Sequence, residues 1–314
     1  MTESLRWHDG ALWFTDLVRG GGVYRAAPGH EPERVVEVPG RAGGLGWLPD
    51  GRMLVVSMDE RCVYRVEPDG ALVRHAELGD IAGGHANDMV VDAAGRAYVG
   101  NFGFDYHAAV KRRPASLLYA PPGPPRTPLA AFAPDGSLIA TTEPLYFPNG
   151  AVVLAAGRTL VVAETMAMRL TAFSVAEDGS LTDPRPWASL IAAPLWRALN
   201  AGGLRGRLTR RVSALTDRPW IAKRSSSPIA PDGIGLHSDG RTIWVADALR
   251  GACVRVAPGG EILDRVRTTQ LTLSCVVGGP ERRTLYLATV PTTDPDDALA
   301  ARGGRIEVVQ LPVA

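Results

Sequence analysis

The sequence predicts an all-β fold, a six-bladed β-propeller, on the basis of three observations. Short apolar strand patterns separated by glycine-containing turns recur along the 314 residues. The turns fall at positions 10, 51, 95, 157, 240 and about 283, and most of the gaps fit a repeat of roughly 40 residues, the length of a four-stranded blade. An oxygen-bearing side chain stands at nearly the same distance before the turn in four of the six units. A β-sandwich, the rival all-β fold, predicts no such repeat.

Each unit begins with a strand, a tight turn and a second strand. The first turn, Asp9-Gly10, is a hairpin signal because glycine readily adopts positive φ. The six strand pairs are predicted at 5–16, 45–56, 89–100, 151–163, 234–247 and 275–288. Further strands are predicted at 23–25, 34–38, 62–66, 71–74, 116–119, 169–173, 253–256 and 305–309. The whole chain, 1–314, is therefore predicted to be one propeller domain.

One gap between turns is about twice the usual length, and its excess is an insertion at 184–229. The insertion contains nine Arg or Lys residues and one Asp, a net charge of +8, whereas the whole chain carries +1. Residues 188–200 could form a short amphipathic helix. Two interpretations stay open: a partly disordered surface loop, or a basic lid over the mouth of the propeller that attracts anionic substrates or a membrane surface.

Composition limits the classes of function. A net charge of +1 indicates no general attraction to nucleic acid or membrane, and no apolar run reaches transmembrane length. The three cysteines, Cys62, Cys253 and Cys275, are scattered and odd in number, so reduced thiols and a cytoplasmic location are expected. The N-terminus shows no signal-peptide pattern. The composition thus predicts a cytoplasmic protein without a nucleic-acid partner or a transmembrane segment, and it leaves the oligomeric state open.

The recurring oxygen-bearing side chains predict a metal site. Loops that enter the innermost strands of a propeller open at one end of its channel, so residues at equal register should form a ring. This places Glu3, Asn87, Asn149 and Asp232 around one point. Two carboxylates and two amides suit a hard cation, so one divalent cation is expected, with Ca²⁺ the best fit and Mg²⁺, Mn²⁺ or Zn²⁺ as alternatives. The ring contains no His or Cys, the residues that would favour zinc.

The motifs around these residues resemble the SMP-30/gluconolactonase family, also called regucalcin-like. The resemblance rests on the run from Glu3 through Trp7-His8-Asp9-Gly10, on Asn87-Asp88, and on the tripeptides Pro148-Asn149-Gly150 and Pro231-Asp232-Gly233. It implies a six-bladed propeller with one divalent cation in the central channel, and often lactonase activity.

The resemblance also implies roles for particular residues. The family's metal ligands correspond to Glu3, Asn149 and Asp232, and Asn87 corresponds to a ligand or a substrate contact. His85 and Asp105 correspond to substrate contacts. Two departures stand out. Leu5 replaces the usual proline, and only two residues precede Glu3, so we expect this ligand to fray and to bind metal weakly. The basic insertion is not a general family feature.

The predicted chemistry is hydrolysis of a lactone, such as a sugar lactone or a related cyclic ester, by metal-activated water with Asp232 as general base. His107 is a further candidate for the mouth of the channel. Two alternatives remain: a Ca²⁺-binding protein without turnover, and a metal-assisted isomerase or cyclase on the same scaffold. No Gly-x-Ser-x-Gly elbow and no dinucleotide-binding glycine motif appears in the sequence. The residues do not indicate which lactone is the substrate.

Overall fold

The computed structural model describes residues 1–18, 21–27, 30–216 and 228–312. In these residues six antiparallel sheets surround a central channel, as the repeat predicts. The chain enters each sheet at its innermost strand and continues outward, strand by strand. Adjacent innermost strands contact one another all the way round, from the first blade to the sixth and back to the first. The all-β, six-bladed propeller predicted from the sequence is confirmed.

The first three blades contain four strands each. In the first blade the strands are β1 (Thr2–His8), β2 (Ala11–Asp16), β3 (Gly22–Ala26) and β4 (Glu33–Glu37). In the second they are β5 (Ala42–Trp47), β6 (Met53–Ser57), β7 (Cys62–Val66) and β8 (Leu72–Glu77). In the third they are β9 (Ala86–Val91), β10 (Ala97–Asn101), β11 (Ala130–Phe132) and β12 (Leu138–Thr141).

The last three blades complete the ring, and the sixth has three strands within the described residues. In the fourth blade the strands are β13 (Pro148–Val153), β14 (Thr159–Glu164), β15 (Arg169–Val175) and β16 (Leu181–Ser189). In the fifth they are β17 (Pro231–Leu236), β18 (Ile243–Asp247), β19 (Ala252–Val256) and β20 (Ile262–Arg267). In the sixth they are β21 (Leu271–Gly278), β22 (Thr284–Val290) and β23 (Arg305–Gln310).

The inner hairpins close as their turn residues predict. In blades one to five the turn contains a glycine with positive φ, a conformation that only glycine adopts at little cost. These residues are Gly10, Gly51, Gly95, Gly157 and Gly240. In the sixth blade two residues of the turn have positive φ, Gly279 at 84° and Arg282 at 50°.

The hydrophobic core is divided among the interfaces between neighbouring blades. Buried side chains form one cluster at each of the six interfaces; Leu170 and Val245, for example, join blades four and five. Leu5 and Ala288 close the ring between blades one and six, and both are fully buried. Because sheet faces bury apolar side chains on both sides, strands such as β6 and β18 are buried along their whole length. A seventh cluster lies at one end of the channel and is described below.

The structure corrects the strand predicted at 116–119. Residues Ala115–Tyr119 form a 3₁₀ turn, and the third strand of this blade is β11. Pro114 precedes the turn, and two consecutive prolines follow it at 121 and 122. Proline has no N–H to donate, so the segment is poorly suited to a sheet ladder. Leu118 and Tyr119 are instead buried in the seventh cluster.

The predicted insertion at 184–229 begins too early. Residues 184–189 belong to β16, the outermost strand of the fourth blade. The helix predicted at 188–200 is shorter, and a second helix follows it; these are α2 (Ala193–Asn200) and α3 (Gly203–Thr216). Residues 217–227 of the insertion lie outside the described residues. Two further short helices are α1 (Tyr106–Arg112) and α4 (Pro295–Ala301).

The described residues contain no helix that is both long and apolar enough to cross a membrane. Cys62, Cys253 and Cys275 are all buried free thiols. Desolvation raises the pKa of the Cys62 thiol to about 11, which keeps it protonated at neutral pH.

Candidate functional site

The four predicted ring residues all line one cavity at the mouth of the channel. Glu3, Asn87, Asn149 and Asp232 stand near the start of the innermost strands β1, β9, β13 and β17. Glu3 lies in a paired strand opposite Thr15, which differs from the frayed end that the sequence predicts. Glu3, Asn87 and Asn149 are buried, and Asp232 is partly exposed to the cavity. The equal register seen in the sequence therefore corresponds to a common position in space.

A local irregularity of the innermost strands accompanies each ring residue. The pairing register shifts between Glu3 and Arg6 in β1, and between Pro148 and Ala151 in β13. A third shift, between Pro231 and Ile234, flanks Asp232 in β17. Shifts of this kind, which are typical of β-bulges, bend a strand and re-aim its side chains. They let these side chains face the channel while the strand stays paired to the rest of its blade.

The glycines after Asn149 and Asp232 permit close contact between neighbouring innermost strands. A Cβ on Gly150 would lie 2.7 Å from the carbonyl oxygen of Asp232 and 2.6 Å from the nitrogen of Ile234. A Cβ on Gly233 would lie 2.8 Å from the Ser274 hydroxyl. The Asn-Gly and Asp-Gly pairs are therefore part of the innermost strands, and their glycines bring the ring residues together.

Hydrogen bonds orient the two ring residues of blades four and five. The side-chain nitrogen of Asn149 donates to Asp232 and, at 3.1 Å, to the Thr165 hydroxyl. Thr165 in turn donates to the backbone oxygen of Pro231 at 2.7 Å. The amide nitrogen of Asn149 makes both bonds, and this arrangement leaves an amide oxygen available to a cation.

The two carboxylates of the ring are in an unfavourable electrostatic environment. Burial raises the pKa of Glu3 well above its usual range, and repulsion from Asp232 and Asp88 adds to this shift. Burial also raises the pKa of Asp232 to about 7, although its hydrogen bond from Asn149 opposes the change. Arg6, which pairs with Asp88 at 2.7 Å, offsets part of the negative charge on that side. The site therefore carries more buried negative charge than its protein neighbours balance.

The residues present fit a hard divalent cation. The Oε2 atom of Glu3 is buried and has no hydrogen-bond partner in the described structure. Buried polar atoms without a partner are uncommon and call for an explanation such as an ion or a water. Oxygen donors from carboxylates and amides are those that Ca²⁺ prefers. The described residues contain no group of three or more His, Cys, Asp or Glu placed to hold a metal ion; the ring has two carboxylates, and its other two positions are asparagines.

His85 and Asp105 are not among the residues that line the cavity, although His85 packs against Phe102 and His107, which do. His85 lies next to Asp59, with Nδ1 at 3.3 Å from a carboxylate oxygen, and it contacts Arg41 through Nε2. Asp105 is exposed, and its carboxylate caps α1 by accepting from the Ala108 nitrogen at 2.9 Å. The structure thus gives both side chains partners within the protein, and their predicted contacts with substrate stay predictions.

Two polar residues of the cavity differ from the sequence prediction: Arg41 was not predicted at all, and His107 was only a further candidate. Arg41 lines the cavity and is held by Asp59 through bonds of 2.6 to 3.2 Å. No sequence signal marks it, because the pair forms between separate loops. His107, a candidate for the mouth, also lines the cavity. Burial and the nearby Arg41 lower its pKa to about 4, so it is neutral at pH 7.

The remaining wall of the cavity is largely apolar. The cavity has a volume of about 350 Å³, and the seventh hydrophobic cluster surrounds it. Residues of the insertion contribute through Leu195 and Leu199 of α2 and Val212 of α3. These two helices therefore cover one side of the mouth. The four ring residues form the floor of a cavity whose sides are mostly hydrocarbon.

The fold and this site define a β-propeller with an oxygen-rich centre at the mouth of its channel. Residues 1–291 match the family described as the SMP-30/gluconolactonase/LRE-like region. The chain belongs to this family, as the motifs around the ring residues indicated.

Solved structures with the same fold share little sequence identity with the chain. A gluconolactonase from Xanthomonas campestris is 18% identical with a TM-score of 0.66, covering 99% of this chain and 86% of its own. A calcium-binding regucalcin from Agrobacterium tumefaciens is 16% identical with a TM-score of 0.69, covering 99% and 90%. A luciferin-regenerating enzyme is 16% identical with a TM-score of 0.71, covering 98% and 91%. At these identities the likeness concerns the fold.

Proposed function

We propose that the protein is a divalent-metal-dependent hydrolase that opens a lactone. The observation that carries this proposal is the ring itself: two carboxylates and two amides face one cavity, and a buried Glu3 oxygen in this ring has no hydrogen-bond partner among the described residues. Family membership supports the proposal, because the family description includes gluconolactonase. The fold relatives named above include a gluconolactonase and a calcium-binding protein.

Glu3, Asn149 and Asp232 would hold the cation, with Asn87 as a fourth ligand or a substrate contact. Ca²⁺ is the metal that this donor set fits best. When bound, such a cation polarises a carbonyl oxygen and lowers the pKa of a bound water. The negative charge that Glu3 and Asp232 bring into the cavity would then be balanced.

The remaining steps belong to side chains of this chain. Asp232 is the proposed general base, and the hydrogen bond from Asn149 fixes the orientation of its carboxylate. Thr165 holds Asn149 and the Pro231 carbonyl in the same network. The apolar wall keeps bulk water from the reacting ester, which strengthens the electrostatic interactions inside. A neutral His107 at the wall adds no positive charge at pH 7.

The test is a panel of lactones assayed with Ca²⁺ and with EDTA. We expect ring opening that EDTA abolishes and Ca²⁺ restores, and a product heavier than the substrate by one water. Asp232→Ala should abolish the activity. Asp80→Ala, an exposed carboxylate away from the cavity, is the matched control and should retain it.

Three outcomes contradict the proposal in different ways. Hydrolysis that survives both EDTA and Asp232→Ala removes the metal and the base from the reaction. Calcium binding without turnover on any lactone indicates a binding protein. A product with the mass of the substrate indicates an isomerase or cyclase.

A further inference from the structure

We infer that the cavity takes an apolar lactone, a ring that carries a hydrocarbon substituent, in preference to a polyhydroxylated sugar lactone. The hydrolytic part of this inference rests on the function proposed above. The binding part rests on the composition of the wall and can be tested separately.

Hydrocarbon side chains from several separate segments meet around the ring. They include Met58, Phe102, Phe147, Met168, Leu195 and Leu199. The Phe102 and Phe147 rings pack with centroids 4.3 Å apart, which gives the wall a continuous aromatic surface. In α2, Leu195 and Leu199 are one helical turn apart, so they present the same face to the cavity. A substituent on a lactone that is bound at the four ring residues therefore contacts hydrocarbon side chains as it extends toward the mouth of the cavity.

Three polar side chains of the wall, those of Arg41, Ser116 and Thr165, are already engaged by the protein. The Ser116 hydroxyl donates to the Arg210 carbonyl oxygen at 3.2 Å, and Thr165 donates to Pro231 at 2.7 Å. The charge of Arg41 is balanced by Asp59, with a closest contact of 2.6 Å. These groups offer little to a row of sugar hydroxyls.

This difference decides the class of substrate. A hydroxyl that is buried without a hydrogen-bond partner loses its water and gains nothing in return. A methylene that is buried against the same wall gains affinity, by about fourfold for each group. A cavity of about 350 Å³ is within the range that binds small organic ligands, so a lactone ring with a short alkyl chain has room.

The first test compares three lactones of the same ring size on the Ca²⁺-loaded protein: δ-valerolactone, δ-decalactone with its pentyl chain, and glucono-δ-lactone. We expect kcat/KM for δ-decalactone to exceed that for δ-valerolactone by at least about 30-fold, since several methylenes are buried. Glucono-δ-lactone should be the poorest of the three after subtraction of its spontaneous hydrolysis. Equal or higher kcat/KM for glucono-δ-lactone would overturn the inference.

A variant ties the preference to the wall. Leu195→Gln keeps the side-chain size but places an amide in the apolar face of α2. It should lower kcat/KM for δ-decalactone by about tenfold and change that for δ-valerolactone by less than twofold. Leu204→Gln, at an α3 residue that is 75% exposed and does not line the cavity, is the matched control. Equal effects of Leu195→Gln on both lactones would contradict the assignment.

Calorimetry with lactams, which resist hydrolysis, separates this inference from the proposed function. We expect the lactam that carries a pentyl chain to bind more tightly than the lactam of gluconic acid. If no lactone is hydrolysed but the alkyl lactam binds preferentially, the proposed function fails and the apolar site stands. If lactones are hydrolysed but the gluconic lactam binds better, the function stands and the apolar site fails.

Discussion

The side-chain amide of Asn149 donates a hydrogen bond to the carboxylate of Asp232, and this contact joins the innermost strands of two neighbouring blades. The two residues are far apart in the chain but occupy the same register of their repeats. A Cβ on Gly150 would collide with the backbone of Asp232, so the approach depends on the glycine. Repeat geometry, strand packing and the proposed chemistry therefore converge on this pair.

Glu3→Gln should have opposite effects on stability without and with metal. In the metal-free protein it removes a buried charge that burial and Asp232 disfavour, so the free energy of unfolding should rise by roughly 1 to 3 kcal/mol. With Ca²⁺ at a hundredfold excess over its Kd, wild type should gain about 2.7 kcal/mol, and the variant should lose most of this gain. Thermal unfolding with EDTA and with Ca²⁺ measures both effects. The exposed Glu143→Gln is the control, and a loss of stability in EDTA would contradict the prediction.

Gly150→Ala should destabilise the propeller at its centre. The added methyl would lie 2.6 to 2.7 Å from backbone atoms of β17, which cannot move without disturbing the next blade. We expect a loss of about 1 to 3 kcal/mol in urea unfolding and weaker Ca²⁺ binding. Gly79→Ala, whose Cβ would meet no atom of the described residues within 4 Å, should change neither quantity. Equal stabilities of the two variants would show that the close approach is unimportant.

Arg6→Met should destabilise the channel through its partner. Arg6 donates to Asp88 at 2.7 Å and to the Leu45 carbonyl at 3.2 Å, and Asp88 is buried. Removing the guanidinium leaves Asp88 buried and unpaired, which should cost about 3 to 5 kcal/mol. Arg34→Met, which breaks an exposed pair with Glu37, should cost at most about 1 kcal/mol. If urea unfolding shows an equally small loss in the free energy of unfolding for both variants, the Arg6–Asp88 pair does not stabilise the channel.

Acid should destabilise the protein in part through His107. Its folded pKa of about 4 lies below the value of about 6.5 expected in the unfolded chain. The unfolded chain therefore binds more protons between these pH values, and stability falls as the pH is lowered from about 6.5 to about 4.

His107→Gln should reduce this pH dependence by up to about 3 kcal/mol in the free energy of unfolding, measured by urea titration at neutral and acidic pH. Burial also lowers the pKa of His75, His85 and His237, so only the difference between variant and wild type isolates His107. The control is His30→Gln, at an exposed loop position. If the difference in the free energy of unfolding between His107→Gln and wild type stays constant with pH, His107 does not cause the loss of stability in acid.

The fold was largely predictable because its signals are local and repeated. Each inner hairpin needs a positive φ at its turn, and five glycines satisfy this need in the sequence itself. The strand predicted at 116–119 failed for the opposite reason. Its short apolar run resembles a strand, but prolines on both sides and the seventh hydrophobic cluster make Ala115–Tyr119 a 3₁₀ turn.

The site residues also divide into those that the local repeat predicts and those that depend on contacts between distant segments. Glu3, Asn87, Asn149 and Asp232 could be brought together from the sequence because equal register in a closed repeat means equal height around the axis. Arg41 could not be found in this way, because its place depends on a pairing with Asp59 between two loops. The burial that raises the pKa of Asp232 likewise depends on neighbours that are distant in the chain.

The sequence by itself determined the number of blades, the turns that close them and the four oxygen donors, because these depend on local conformation repeated at a fixed period. The tertiary structure decided what surrounds the donors. Within the part of the chain that the structure describes, it left a Glu3 oxygen without a hydrogen-bond partner, gave His85 and Asp105 partners within the protein, and brought the insertion's helices against the mouth. Those features arise from packing between segments far apart in the chain, where the free energy of burial and charge is set by neighbours that no local pattern specifies.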